Sequence, residues 1–149
     1  MEIISKGSYP ANKLSNFSPN KFIFDGVECN SIEGVLQAFK FEGEISQRQS
    51  CLLVGFSAKK NGSKRNKYWT SKQTLWWNGK GYPRKSKEYQ ELITRLYDTV
   101  FEQCQSFRDA LKATGNAVLK HSIGRNNESE TVLTEREFIR QLNRLREKL

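Results

Sequence analysis

The stretch "NSIEGVLQAFKF", Asn30 to Phe41, constrains the fold more than any other because it carries two stripes at helical spacing. Ile32, Val35, Leu36 and Phe39 recur at i, i+3, i+4 and i+7, the apolar face of a core-facing helix. Glu33, Gln37 and Lys40 recur at i, i+4 and i+7 on the neighbouring face. Asn30 can cap the start, and no proline interrupts the run. An acid, an amide and an amine on one helical face form either a solvated surface or the floor of an active site. In the second case Glu33 is a general acid or base, Gln37 orients a polar ring, and Lys40 is a cation or nucleophile. Gly34 in the same helix leaves room for a ligand to approach. The residues alone leave both readings open.

Around this helix the chain reads as one domain spanning residues 1–149, mainly α with a small N-terminal β hairpin. Asp25-Gly26 stands between two short runs containing Phe22, Phe24, Val27 and Cys29, and suits a two-residue hairpin turn. Apolar residues place a second helix over Ile45 to Val54. Tyr89, Leu92, Ile93, Leu96, Tyr97, Val100 and Phe101 define a long helix after a Ser86 cap. A shorter helix over Ser106 to Thr114 stops at Gly115. In "LTEREF", Thr134 and Glu137 form a capping box, with Leu133 and Phe138 as a hydrophobic staple. That helix turns Phe138, Leu142 and Leu145 inward and Arg136, Arg140 and Arg144 outward.

Charge separates the chain into unequal parts. From Ser57 to Lys87 there is no acid, yet ten of the 25 Lys and Arg fall there; the remaining 15 face 16 acids. The net charge of +9 is therefore local, and points to an anionic partner for this segment. Gly and Asn punctuate it, so it reads largely as loop, with one helical turn around Lys67 to Leu75. All three tryptophans, Trp69, Trp76 and Trp77, lie inside it. Cations hold phosphates while aromatic faces stack on bases, so the mixture suits a nucleotide or nucleic acid. The competing reading puts the tryptophans in the core and leaves the lysines to solvent. Adjacent tryptophans on one regular element cannot both point inward, which favours binding.

Other chemistry is narrowly bounded. His121 is the only histidine, so a site built on several histidines is excluded. His121, Ser122 and Gly124 can still set an imidazole, a hydroxyl and a close-approach backbone in one place. Glu137 is assigned to capping and Glu130 to a solvated loop. Cys29, Cys51 and Cys104 match neither a disulfide framework nor a zinc knuckle, and nothing reads as a signal peptide or membrane helix, so the expected home is a reducing cytoplasm.

Taken in order, "LSNFSP", "FDGVECNSIEGVLQAFKF" and "HSIGRNN…TVLTEREFIRQLNRLRE" resemble the NADAR, or YbiA-like, family. Its pattern runs LSNF-x-P, a hairpin, a Glu-His-x-x-Gln-x-x-Lys-Phe helix, a Trp-rich loop and a C-terminal helix, and nearly the whole chain takes part. Members of that family cleave N-glycosidic bonds. Some act on ribosylamino-pyrimidine intermediates of riboflavin synthesis, and others remove ADP-ribose from guanine in nucleic acid.

The resemblance implies Glu33 and Lys40 as catalytic residues. As substrate contacts it implies Asn16, Phe17, Gln37, Trp76, Trp77, Asn78, His121, Ser122 and Gly124, and Arg84 of the basic segment is expected to join them. It implies no metal and no cofactor. Here Gly34 stands where the pattern has histidine, and a Gly-rich segment of the riboflavin branch is missing. The His-Ser-Ile-Gly and Thr-Val-Leu-Thr forms match the other branch, so the expected substrate is an ADP-ribosylated nucleotide or nucleic acid. A non-catalytic ADP-ribose or nucleic-acid binding module, and a basic structural protein with a solvated stripe, are the alternatives.

Overall fold

The computed structural model describes all residues, 1–149. It is mainly helical, with eight helices and two separate two-stranded antiparallel sheets. A short turn of helix, α1 (Ala11–Leu14), precedes the expected hairpin, β1 (Pro19–Phe24) and β2 (Val27–Ser31). Asp25 and Gly26 both take positive φ at its turn, as the Asp-Gly pair required.

The doubly striped helix, α2 (Ile32–Ala38), follows at once, and every one of its residues is buried. Its cap is Ser31 rather than Asn30: Ser31 Oγ accepts from the Gly34 amide at 2.9 Å, while Asn30 Nδ2 donates to the Leu52 carbonyl at 3.0 Å. Asn30 is thereby spent holding the next helix, α3 (Glu44–Cys51), against α2. The apolar residues expected to anchor α3 do not all turn inward. Ile45 is 74% exposed and Leu52 50% exposed, and Gln47, Ser50 and Cys51 face the core instead.

The acid-free segment is not largely loop: a helix does stand where one turn is expected around Lys67 to Leu75, and a further helix and a hairpin join it. It forms α4 (Gly55–Ser63), α5 (Asn66–Lys72) and a second hairpin, β3 (Thr74–Trp77) with β4 (Lys80–Pro83). The helices bury little beyond Ala58, Gly62 and Trp69, so no apolar stripe advertises them. The hairpin turns on Asn78 and Gly79, both at positive φ, the same chemistry that marks the first hairpin. On β3 the side chains alternate: Trp77 enters the core and stacks on Phe24 at 5.3 Å, whereas Trp76 lies half-buried on Tyr68 at 5.6 Å.

The C-terminal part follows the periodicity closely. α6 (Lys87–Gln103) is capped by Ser86, α7 (Gln105–Ala113) ends before Gly115, and α8 (Glu135–Arg146) carries the complete Thr134–Glu137 capping box. Arg136 and Arg140 are exposed, but Arg144 is half-buried and pairs with Asp98 of α6 at 2.7 Å. The extended N-terminus runs beside Lys120, with the Ile3 amide donating to the Lys120 carbonyl at 2.8 Å. No helix is long and apolar enough to cross a membrane.

Gly34 has a different role from the one its sequence context suggests. A Cβ there would lie 2.7 Å from the Ser50 carbonyl oxygen and 2.9 Å from that of Leu53. The missing side chain lets α3 close on α2; it does not open a path for a ligand. Those contacts are backbone and cannot swing aside, so Gly34→Ala should cost about 1–3 kcal/mol despite alanine's better helix propensity. Urea unfolding with an unchanged far-UV spectrum before the transition would show this, and undiminished stability would contradict the close approach.

Candidate active site

The polar stripe is the floor of a cavity of about 310 Å³, with Glu33 and Gln37 on α2 and Lys40, which the spacing places on the helix, in the turn just past its end. Glu33, Gln37 and Lys40 line it together with Asn16 and Phe17 from the loop before β1. Lys59, Ser63 and Asn66 from α4 and the start of α5 form one wall. His121, Gly124, Arg125 and the residues from Glu130 to Thr134 form another.

These three floor residues are nearly out of solvent, at 9% exposure for Glu33, 5% for Gln37 and 6% for Lys40. Gln37 Nε2 donates to Glu33 Oε2 at 2.6 Å. Its Oε1 meets no donor and lies against Gly62, where a Cβ would sit only 1.8 Å away. Glycine at position 62 thus admits the amide that holds the carboxyl. Lys40 Nζ donates to Asn66 Oδ1 at 2.6 Å, a partner 26 residues away that no local spacing reveals. Burial pushes the Glu33 carboxyl above its usual range, and the Gln37 hydrogen bond and the Lys40 charge only partly oppose this. Burial also pushes Lys40 down to about 8, with Glu33 opposing. The floor therefore holds a carboxyl inclined to keep its proton and an amine inclined to lose one.

Two further groups face the floor in fixed orientations. Asn16 Oδ1 accepts from the Tyr97 hydroxyl at 2.7 Å, so its amide nitrogen is left to donate, and the Asn16 carbonyl accepts from the Glu33 amide at 3.0 Å. His121 Nδ1 lies 2.8 Å from the Ile3 carbonyl oxygen. A carbonyl can only accept, so Nδ1 carries a proton, and in the neutral imidazole Nε2 is left as the acceptor. The ring stands edge-on to Phe138 at 5.1 Å.

Of the expected contacts, Asn16, Phe17, Gln37, His121 and Gly124 share this cavity with Glu33 and Lys40, while five others lie elsewhere. Trp77 is 2% exposed, packed on Phe24 and Phe39, with Nε1 donating to Asp25 at 2.8 Å. Trp76 and Asn78 belong to the second hairpin: the Trp76 amide donates to the Phe39 carbonyl at 2.8 Å, and Gln47 bonds both residues. Ser122 is exposed and bonded to the Glu2 carboxylate.

Arg84, 1% exposed, makes a two-pronged pair with Glu137 at 2.7 and 3.2 Å, and its Nε donates to the Thr131 carbonyl at 2.8 Å. It supports the cavity wall from behind and does not line the cavity. Burial would raise Glu137, but Arg84, the Thr134 amide and Gln90 bring it below its usual range. Glu130 is exposed, as expected, yet it also borders the cavity.

A helix floor, two hairpin braces and a polar cavity define a fold of the YbiA, or NADAR, type. The structure of Escherichia coli YbiA superposes with a TM-score of 0.62 at 18% identity, covering 99% of this chain and 86% of that one. The chain belongs to the bacteriophage protein GP30.3 family, whose pattern matches residues 8–147. Among its relatives is a 17.1 kDa protein from the Gp30-rIII intergenic region of Enterobacteria phage T4, 38% identical over 150 residues and matched over 100% of this chain and 98% of that protein.

The depressed Lys40 makes a prediction for stability. Between pH 8 and 10.5 the unfolded chain binds the proton that folded Lys40 has lost, so this lysine's contribution becomes more favourable as pH rises. Below pH 8 its buried charge costs up to about 3 kcal/mol. Lys40→Met should therefore stabilise the fold at pH 7, with the advantage shrinking towards pH 10. Urea titrations at the two pH values would measure this, and an advantage independent of pH would rule out the burial effect.

Proposed function

We propose that the chain is an N-glycosidase that removes ADP-ribose from guanine in nucleotides or nucleic acid. The observation that carries the reading is the buried acid–amide–amine set of Glu33, Gln37 and Lys40 on a cavity floor. Breaking a ribose–base bond builds positive charge at C1′ and negative charge on the departing base. A carboxyl that keeps its proton in the buried floor delivers that proton to the base as the C1′–N bond breaks. Water then adds to C1′ and passes a proton back to the Glu33 carboxylate, so the net change is hydrolysis. Gln37 aims the carboxyl, and Asn16 and His121 Nε2 are placed to bond the sugar hydroxyls.

Lys40 has two roles open to it, as a charge beside the departing base or as a nucleophile. At about 8, roughly a tenth of the molecules hold a neutral Lys40 amine at pH 7, against about one in 3,000 for an ordinary lysine. That excess supports attack on C1′ of the ring-opened ribosyl–base imine: the amine adds, the base leaves with the proton from Glu33, and water hydrolyses the resulting Lys40 imine to release the sugar. The α4 wall, which belongs to the acid-free segment, supports an anionic substrate and hence ADP-ribose over an uncharged nucleoside.

The test is an oligonucleotide carrying ADP-ribosylated guanine, followed by mass. Wild-type protein should release ADP-ribose, and Glu33→Gln should slow release by about 10²–10⁴-fold while folding normally. Lys40→Ala should slow it as well, and borohydride should trap a covalent adduct with wild type only. An unchanged oligonucleotide beside turnover of a ribosylamino-pyrimidine would move the substrate to the riboflavin-type intermediate. Full activity of Glu33→Gln would refute its role.

A further inference from the structure

Beyond Glu33, Gln37 and Lys40, two further cations border the same cavity with no hydrogen bond or ion pair to the floor, although the Lys59 charge acts on both Glu33 and Lys40. Lys59 stands on the α4 wall and Arg125 on the wall formed by the α7–α8 connection; both are exposed and both border the cavity. Neither is among the cations that the chain ties to its own carboxylates. Some exposed cations rest on aromatic rings, as Lys72 does on Tyr68 at 5.1 Å and Lys80 on Tyr82 at 4.9 Å, and these two do not.

Charge on the remaining lining is scarce. Glu130 is the one other carboxylate, and Glu33 is biased towards its neutral acid. With Lys40 the cavity carries three cationic groups against about one full negative charge, and needs an anion to balance it.

Size says where that anion sits. About 310 Å³ is the low end of the ~300–1,000 Å³ of small-molecule sites. A ribosyl group reacting at Glu33 fills the floor, and whatever is attached to its 5′ side must leave past the exposed residues.

We propose that Lys59 and Arg125 form a clamp for the phosphoryl group on the 5′ side of the bound ribosyl unit. The clamp rests on the glycosidase reading for what fills the floor, yet it is a binding site in its own right. Two cations on separate walls select for phosphorylated ribose and set its register, with C1′ towards Glu33 and the 5′ end towards the mouth. The same phosphoryl chemistry is offered by ADP-ribose, by a ribose 5-phosphate and by a nucleic-acid backbone, and the proposal commits to the phosphorylated ribosyl group.

Calorimetry with ADP-ribose, ribose 5-phosphate, ribose and an unmodified oligonucleotide as probes tests it. The wild type should bind both phosphorylated probes at least tenfold more tightly than ribose, less so as salt is raised. Lys59→Ala and Arg125→Ala should each weaken ADP-ribose binding about tenfold. The double variant should bring it close to ribose, while Lys60→Ala, whose lysine is exposed but does not border the cavity, should change little. Unchanged ADP-ribose binding in the double variant, or an equal loss in Lys60→Ala, would overturn the clamp. So would a loss confined to an unmodified oligonucleotide, which would hand the two cations to a strand backbone.

Turnover of the ADP-ribosylated oligonucleotide separates this from the glycosidase reading. Raised KM with unchanged kcat in the variants supports both. Binding that depends on the clamp, with no turnover by the wild type, would leave the clamp standing and remove the glycosidase.

Discussion

Everything in this fold is arranged around the complete burial of α2 and the turn that follows it, which takes the Glu33 carboxyl, the Gln37 amide and the Lys40 amine into the interior with the apolar stripe. Isolated charges cannot be buried without large cost, so each group must find a partner or change its protonation. Gln37 takes up Glu33, Asn66 takes up Lys40, and the residual mismatch appears as the raised carboxyl and the lowered amine. The same constraint dictates the neighbours. α3 closes on Gly34, α4 brings its own Gly62 against Gln37, and the second hairpin hangs from the Phe39 carbonyl at the end of the helix. A helix buried by such close approaches cannot relax to relieve its polar groups, which keeps them strained in protonation instead of in geometry.

The far wall of the cavity is secured by a different device. Arg84 and Glu137 pair in the interior, and the guanidinium also grips the Thr131 carbonyl. Tyr89 donates to the Val132 carbonyl at 2.5 Å, and Gln73 to that of Ser129 at 2.9 Å. A stretch without regular structure between α7 and α8 is thus held through its backbone carbonyls. The extended N-terminus does the same for His121, whose Nδ1 is held at the Ile3 carbonyl. The active-site candidate is a buried helix facing two segments of irregular chain, each immobilised from behind.

Some of this was legible and some was not, for reasons specific to the residues. Ser86, Thr134 and Glu137 act within four residues of themselves, so the caps of α6 and α8 could be read directly. Asn78-Gly79 carried the same hairpin signal as Asp25-Gly26 but was hidden among other Gly and Asn residues. The α4 and α5 helices bury too few apolar side chains to show a period. Trp77 and Arg84 looked like ligand contacts because aromatics and cations on a basic stretch suit phosphates and bases. Packing assigned them to Phe24 and Glu137 instead. Trp76 and Trp77 did separate to opposite faces, as the pleat of a strand demands.

By itself the sequence determined the α2 helix, its two stripes, the first hairpin, the C-terminal helices and a basic middle segment. Each of these depends on residues within a turn or two of one another, where spacing and capping chemistry decide the outcome. Only the tertiary structure decided that the polar stripe is a cavity floor and not a wet surface. That outcome depends on α3 and α4 covering the helix, on Asn66 meeting Lys40 from 26 residues away, and on the Arg84–Glu137 pair across 53. Contacts of that range leave no periodic trace along the chain, because they are set by how whole elements close on one another.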